Sequence, residues 1–123
     1  MKLFDNLFSN KKSNKKTLYI KNLSSREFYE SFNNSKLAVL LDVRTHEEYS
    51  QLRIPGSVLI DIHQPDFKDK ISKLDNKKEY FVYCRRGIRS MNAATIMSEM
   101  GFENIVNLTG GIVNWEGPTE SDI

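Results

Sequence analysis

Cys84 is the only cysteine in a chain of 123 residues, and its neighbours are unusual. The apolar run Tyr80-Phe81-Val82-Tyr83 leads directly into it, and Arg85-Arg86-Gly87-Ile88-Arg89-Ser90 follows. A thiol at the end of a strand, ahead of a loop that enters a helix, faces backbone N–H groups and the positive end of that helix. Guanidinium charge nearby adds to the field, and all three favour thiolate over thiol. A free cysteine titrates near ~8.5 and is mostly protonated at neutral pH. In such a cradle it falls to roughly 3.5–7.5. Gly87 gives the backbone the freedom to turn several N–H groups toward one point. A lone cysteine at a strand end is by itself most simply a small buried hydrophobe. The continuation Arg-Arg-Gly-x-Arg raises the reading to a nucleophile held in an anion-binding loop.

The elements that must position this thiol follow from the hydrophobic pattern. Thr17 to Ile20 reads as an edge strand. Ser24-Ser25-Arg26-Glu27 has capping-box spacing and opens a helix that runs to about Phe32. Ala38 to Val43 is apolar on both faces, as a buried parallel strand requires. Thr45-His46-Glu47-Glu48 repeats the capping box and starts a short helix. Val58 to Ile60 is a strand, Phe67 to Leu74 a helix, Tyr80 to Tyr83 a strand. Arg89 to Met100 is a helix with Gly101 at its C-cap. Ile105 to Leu108 is the last strand, and Ile112 to Trp115 resumes apolar packing after the Gly110-Gly111 turn. Strands alternating with helices predict an α/β domain around a mainly parallel sheet. Functional residues of such sheets gather where strands end and helices begin, which is where Cys84 lies.

Composition bounds the rest. The length predicts one domain with one core. No apolar run approaches the ~20 residues of a membrane span, and Met1 to Lys16 lacks the apolar core of a secretory signal. One cysteine and no Cys/His cluster of zinc spacing predict a cytoplasmic protein without a metal. Residues 1–16 carry five lysines and one aspartate, whereas the remainder is at −2. A near-neutral folded part argues against a nucleic-acid face. Leu3, Phe4, Leu7 and Phe8 could form one stripe of a short helix in that basic tail.

The motifs now resemble those of a known family. Cys84-Arg85-Arg86-Gly87-Ile88-Arg89-Ser90 is similar to the active-site loop of rhodaneses, Cys-x-x-Gly-x-Arg/Ser. Leu41-Asp42-Val43-Arg44 through Tyr49 resembles the family's Asp-Val-Arg-x-x-x-Glu-Tyr/Phe signature, and Ile54-Pro55-Gly56-Ser57 its Ile-Pro-Gly-Ala turn. Gly101-Phe102, Leu108-Thr109-Gly110-Gly111 and Trp115 resemble its C-terminal elements. The set appears in family order over residues 17–117, leaving 1–16 as a basic tail and 118–123 as a C-terminal tail. One departure stands out: Leu52-Arg53 occupies the place of the usual Gly-His.

The resemblance implies a five-stranded parallel sheet with helices on both faces, and sulfurtransferase chemistry without a cofactor. Cys84 would be the catalytic nucleophile, accepting sulfur from a small anionic donor such as thiosulfate. It would then pass that sulfur to cyanide, a thiol or a protein acceptor. Arg85, Arg86, Gly87, Ile88, Arg89 and Ser90 would form the substrate-binding loop, and Asp42 and Arg44 would support it. A sulfur carrier loaded by a partner protein is the alternative. Cysteine phosphatases use Cys-x5-Arg, whereas here the arginine stands at +5 and Ser90 at +6, so the ring is one residue short for phosphate. Glu47 and Glu48 read as a helix start and an ion-pair partner for Arg44. His46 and His63 read as surface residues, Trp115 as packing, and the protein as a monomer.

Overall fold

The computed structural model describes residues 19–123. Expectations for residues 1–16, the apolar stripe of Leu3, Phe4, Leu7 and Phe8 among them, fall outside those residues, as do Thr17 and Leu18.

Five strands form one sheet: β1 (Ile20–Leu23), β2 (Ala38–Asp42), β3 (Val58–Leu59), β4 (Glu79–Tyr83) and β5 (Ile105–Leu108). Their order is β1-β5-β4-β2-β3, and every pairing is parallel. Four helices connect them: α1 (Ser25–Asn34), α2 (His46–Gln51), α3 (Phe67–Ser72) and α4 (Ile88–Glu99), with a 3-10 turn at Ile112–Asn114 after β5. The α/β class and the five-stranded parallel sheet are as the sequence and its resemblance predicted.

Strand alternation divides the core into two layers. Leu41, Val82 and Ile105 face α3 and α4, where they meet Phe67, Ile71, Ala93, Ala94 and Met97. Leu40, Phe81 and Val106 face the other way and meet Phe28 of α1, Ile112 and Trp115. Phe81 is fully buried with the rings of Phe28 and Phe32 set edge-on against it at 5.3 and 5.4 Å. Such edge-to-face contacts add to the gain from burial.

Two local expectations are corrected. Among the described residues the first strand is Ile20–Leu23, so the strand runs on past Ile20, where the expected one ended, with Ile20 paired to Ile105 and Leu23 to Leu108. Pairing with β5, more than the β-branched content of the segment, sets where the strand ends. At α1 the capping box does not form: the Ser24 hydroxyl reaches the exposed Glu27 carboxylate (3.3 Å) rather than a backbone N–H. At α2 it does form. Thr45 Oγ1 accepts from the Glu48 N–H, and Glu48 Oε1 accepts from the Thr45 N–H.

The Leu52-Arg53 departure leaves the following turn intact. The Ile54 N–H donates to the Tyr83 hydroxyl (3.1 Å), and Ser57 Oγ donates to the Ile54 carbonyl (2.8 Å). Arg53 holds the chain end instead: its backbone pairs with Glu120, and its guanidinium reaches the carboxylates of Glu120 (2.9 Å) and Asp122 (2.8 Å). No helix among the described residues is long and apolar enough to cross a membrane.

Candidate active site

Cys84 lies one residue beyond the end of β4, at the C-terminal edge of the sheet, with α4 beginning four residues later. Its Sγ accepts from the Gly87 N–H (3.1 Å) and the Ser90 hydroxyl (3.3 Å). Gly87 manages this by taking a left-handed conformation, φ 104°. An L side chain rarely adopts that angle. The first turn of α4 holds no acidic side chain of its own, which leaves the positive end of the helix directed toward the sulfur.

Opposing effects meet at this thiol. Burial pushes its pKa up, while hydrogen bonds from the Ser90 hydroxyl and from the backbone N–H groups of Ser90, Gly87 and Arg86 pull it down. The hydrogen bonds win, and the group titrates below the ordinary thiol. Cys84 lines a cleft of about 180 Å³ together with Arg85, Arg86, Ile88 and Arg89. Arg85 and Arg86 are exposed on its rim, Ile88 is 73% exposed, and Ser90 is fully buried beneath the sulfur.

The segment after β5 supports the loop from below. The Ile112 N–H donates to the Cys84 carbonyl (2.9 Å) and the Val113 N–H to the Arg85 carbonyl (3.2 Å). Gly111 is required here, because a Cβ on it would fall on the carbonyl of Arg85.

Arg89 is half-buried and its guanidinium turns to a single carboxylate. It donates to both oxygens of Glu48, Nη1 to Oε1 at 2.8 Å and Nη2 to Oε2 at 3.0 Å. The Glu48 carboxyl is pulled down to about 2, chiefly by this fork and, against the cost of burial, by the Thr45 N–H. One carboxylate therefore caps α2 and anchors the loop. The expected partner of Glu48 was Arg44, and this is corrected. Arg44 is buried against Asp42, with Nε to Oδ1 at 2.9 Å and Nη2 to Oδ2 at 2.7 Å. Arg44 also donates to the Leu52 carbonyl (2.6 Å) and lies over the Tyr83 ring. The spacing of Asp42 and Arg44 fits a pair two residues apart, which leaves Glu48 free to face the loop.

His46 and His63 are both exposed, and His63 Nδ1 is 2.9 Å from Asp61 Oδ1. Trp115 packs edge-on against Phe28. Among the described residues no group of His, Cys, Asp and Glu is placed to hold a metal ion.

A family model described as a rhodanese-like domain matches residues 24–118. The chain belongs to that family. YtwF of Bacillus subtilis (strain 168), named as a candidate sulfurtransferase, is 39% identical over 101 residues, 82% of this chain and 95% of YtwF. YrkF of the same organism, named as a candidate sulfur carrier protein, is 32% identical over 82% of this chain, which spans about half (54%) of YrkF. The crystal structure of a rhodanese-like domain protein from Staphylococcus aureus superposes with a TM-score of 0.71 at 28% identity, covering 82% of this chain and 97% of that one. The rhodanese-like fold thus carries a family-level link to sulfur transfer and sulfur carriage.

Proposed function

We propose that this protein is a sulfurtransferase that moves sulfane sulfur through a persulfide on Cys84. The observation that carries the reading is the convergence of the Gly87 N–H and the Ser90 hydroxyl on a buried sulfur whose pKa lies below the usual thiol range. No general base is needed when the nucleophile is already favoured as thiolate.

In the first half-reaction the Cys84 thiolate attacks the outer sulfur of thiosulfate. A new S–S bond forms as the old one breaks, and sulfite leaves with the electron pair. In the second, an acceptor nucleophile attacks the outer sulfur of the persulfide and Cys84 departs as thiolate. The loop that stabilises the thiolate stabilises the persulfide anion in the same way. Exposed Arg85 and Arg86 at the rim attract the anionic donor. The role of Arg89 is narrower. Its guanidinium, forked onto Glu48, holds the loop closed around the sulfur and adds positive charge from behind. Asp42 and Arg44 brace the turn from which α2 presents Glu48.

A second reading, a carrier loaded by a partner protein, is favoured by the similarity to YrkF. Steady-state assays with thiosulfate and cyanide separate the two. Turnover to thiocyanate with parallel double-reciprocal lines, abolished in Cys84→Ser, supports the sulfurtransferase. Absence of turnover from thiosulfate, with Cys84 persulfide formed only by contact with a persulfide-bearing desulfurase, supports the carrier. Cys84-dependent hydrolysis of an aryl phosphate contradicts both.

A further inference from the structure

Helix α2 carries Glu48 to the active-site loop, yet none of its six residues is buried. Core packing does not hold such a short helix, so polar contacts must fix its place. At its start the Thr45 capping box does this. In its middle the Tyr49 hydroxyl donates to the Ser57 carbonyl (2.8 Å). At its far end Arg44 donates to the Leu52 carbonyl (2.6 Å), and further ties come from Arg53 and the segment after Trp115.

Arg53 stands in the place of the usual histidine. Its Nη1 donates to the Tyr49 carbonyl (3.1 Å), and its guanidinium lies over the Tyr49 ring at 4.5 Å. Nε and Nη2 reach Glu120 and Asp122, and the Asp122 N–H donates to the Ser50 carbonyl (2.9 Å). Backbone bonds in both directions join Arg53 to Glu120, each of 2.9 Å. His46, at the other end of α2, adds to the field at Asp122. The course of the segment is fixed before it reaches Arg53. The Glu116 N–H donates to Ser25 Oγ (2.9 Å), the Trp115 indole N–H donates to the Pro118 carbonyl (2.9 Å), and a Cβ on Gly117 would fall on the indole ring. Earlier still, Ile112 and Val113 hold the carbonyls of Cys84 and Arg85. The contacts close a ring. It runs from the loop to residues 112–113, along the segment to Asp122, through Arg53 to α2, and by Glu48 and Arg89 back to the loop.

We propose that Arg53 is a positioning residue for the active-site loop: with Glu120 and Asp122 it locks the far end of α2 to the segment after Trp115, and so holds Glu48 where it grips Arg89. The inference rests on the reading of Arg89 as the residue that keeps the loop closed around Cys84. A bidentate fork tolerates little displacement, because both N–H···O bonds must stay short and aligned. Stability does not by itself account for the arrangement, since ion pairs to half-exposed carboxylates contribute little. What they fix is position. Histidine, with two ring nitrogens, cannot serve Tyr49, Glu120 and Asp122 at once.

The test uses Arg53→Ala, Arg53→Lys and the double variant Glu120→Gln with Asp122→Asn, each in the full chain. NMR of the arginine side chains at neutral pH reads the fork directly. Rotation of the Arg89 guanidinium, slowed in wild type by two bonds to one carboxylate, is expected to quicken several-fold in Arg53→Ala and in the double variant. The Glu48 carboxyl faces Arg89 and, more distantly, Arg44. Its titration is expected to move from about 2 to about 3 or above, a tenfold loss of preference for the ionised form. Arg53→Lys keeps a point charge without the planar fork and is expected to lie between. Neither reading moves with global stability while the protein stays folded. A purely structural Arg53 therefore leaves both at their wild-type values, and that result overturns the proposal. With thiosulfate as donor, kcat/KM is expected to fall about tenfold in Arg53→Ala, on the scale of a small misplacement at the reacting centre. A loosened fork with unchanged turnover also overturns the proposal, because the lock then stops short of the sulfur. Where wild type itself gives no turnover, the sulfurtransferase reading falls, and the two NMR readings alone decide whether Arg53 positions Glu48.

Discussion

At the sulfur, burial alone would keep Cys84 protonated, and four hydrogen bonds reverse that outcome. The most tractable of the four is the Ser90 hydroxyl, itself fully buried. Ser90→Ala is expected to move the pH midpoint of iodoacetamide alkylation upward, toward the ordinary thiol range, and to slow alkylation at neutral pH several-fold. An unchanged midpoint would mean that the backbone donors suffice. The sign for stability follows: a depressed thiol stabilises the fold above its unfolded pKa, and that contribution is lost as pH falls through the folded value. Cys84, Gly87 and Ser90 were legible in the sequence because they lie within one loop, where spacing fixes geometry. The direction of Arg89 was not, because its partner Glu48 is 41 residues away.

Between elements, Glu48 ties the start of α2 to the loop before α4. Its carboxyl is held at about 2, against an unperturbed value near 4.5. A lowered carboxylate contributes stability above its unfolded pKa, and loses it as pH falls through the folded one. Wild type is therefore expected to lose about 1–2 kcal/mol between pH 4.5 and 2 that Glu48→Gln never had, after allowance for solvent screening. Chemical denaturation across that window measures it, and identical profiles would remove Glu48 from the account. Gly111→Ala tests the support from below. With φ at 67° and the Arg85 carbonyl in the way, the variant is expected to lose about 2 kcal/mol or more and to lose donor turnover with it. Helix starts show why local signals succeed unevenly. The Thr45 box forms because Glu48 is partly buried and pinned by Arg89, whereas at α1 the solvent-facing Glu27 takes the Ser24 hydroxyl.

Across the whole molecule, strands buried on both faces made the parallel sheet readable, since only an α/β arrangement covers both sides. Register was not readable, and β1 continues to Leu23, beyond the Ile20 at which the β-branched run stops. The sheet holds the site through its central strands, so a change far from the sulfur should act on stability before chemistry. Phe81→Ala empties a site enclosed by Phe28 and Phe32, and is expected to cost about 3–5 kcal/mol in urea denaturation. The folded fraction should keep its alkylation midpoint. A shifted midpoint would show that the face opposite α4 tunes the thiol.

Whether Cys84 receives sulfane sulfur is decided by intact-mass measurement of the protein after incubation with thiosulfate. A gain of one sulfur atom is expected in wild type, reversed by cyanide and absent in Cys84→Ser. An unmodified wild-type mass, or the same gain in Cys84→Ser, would contradict it.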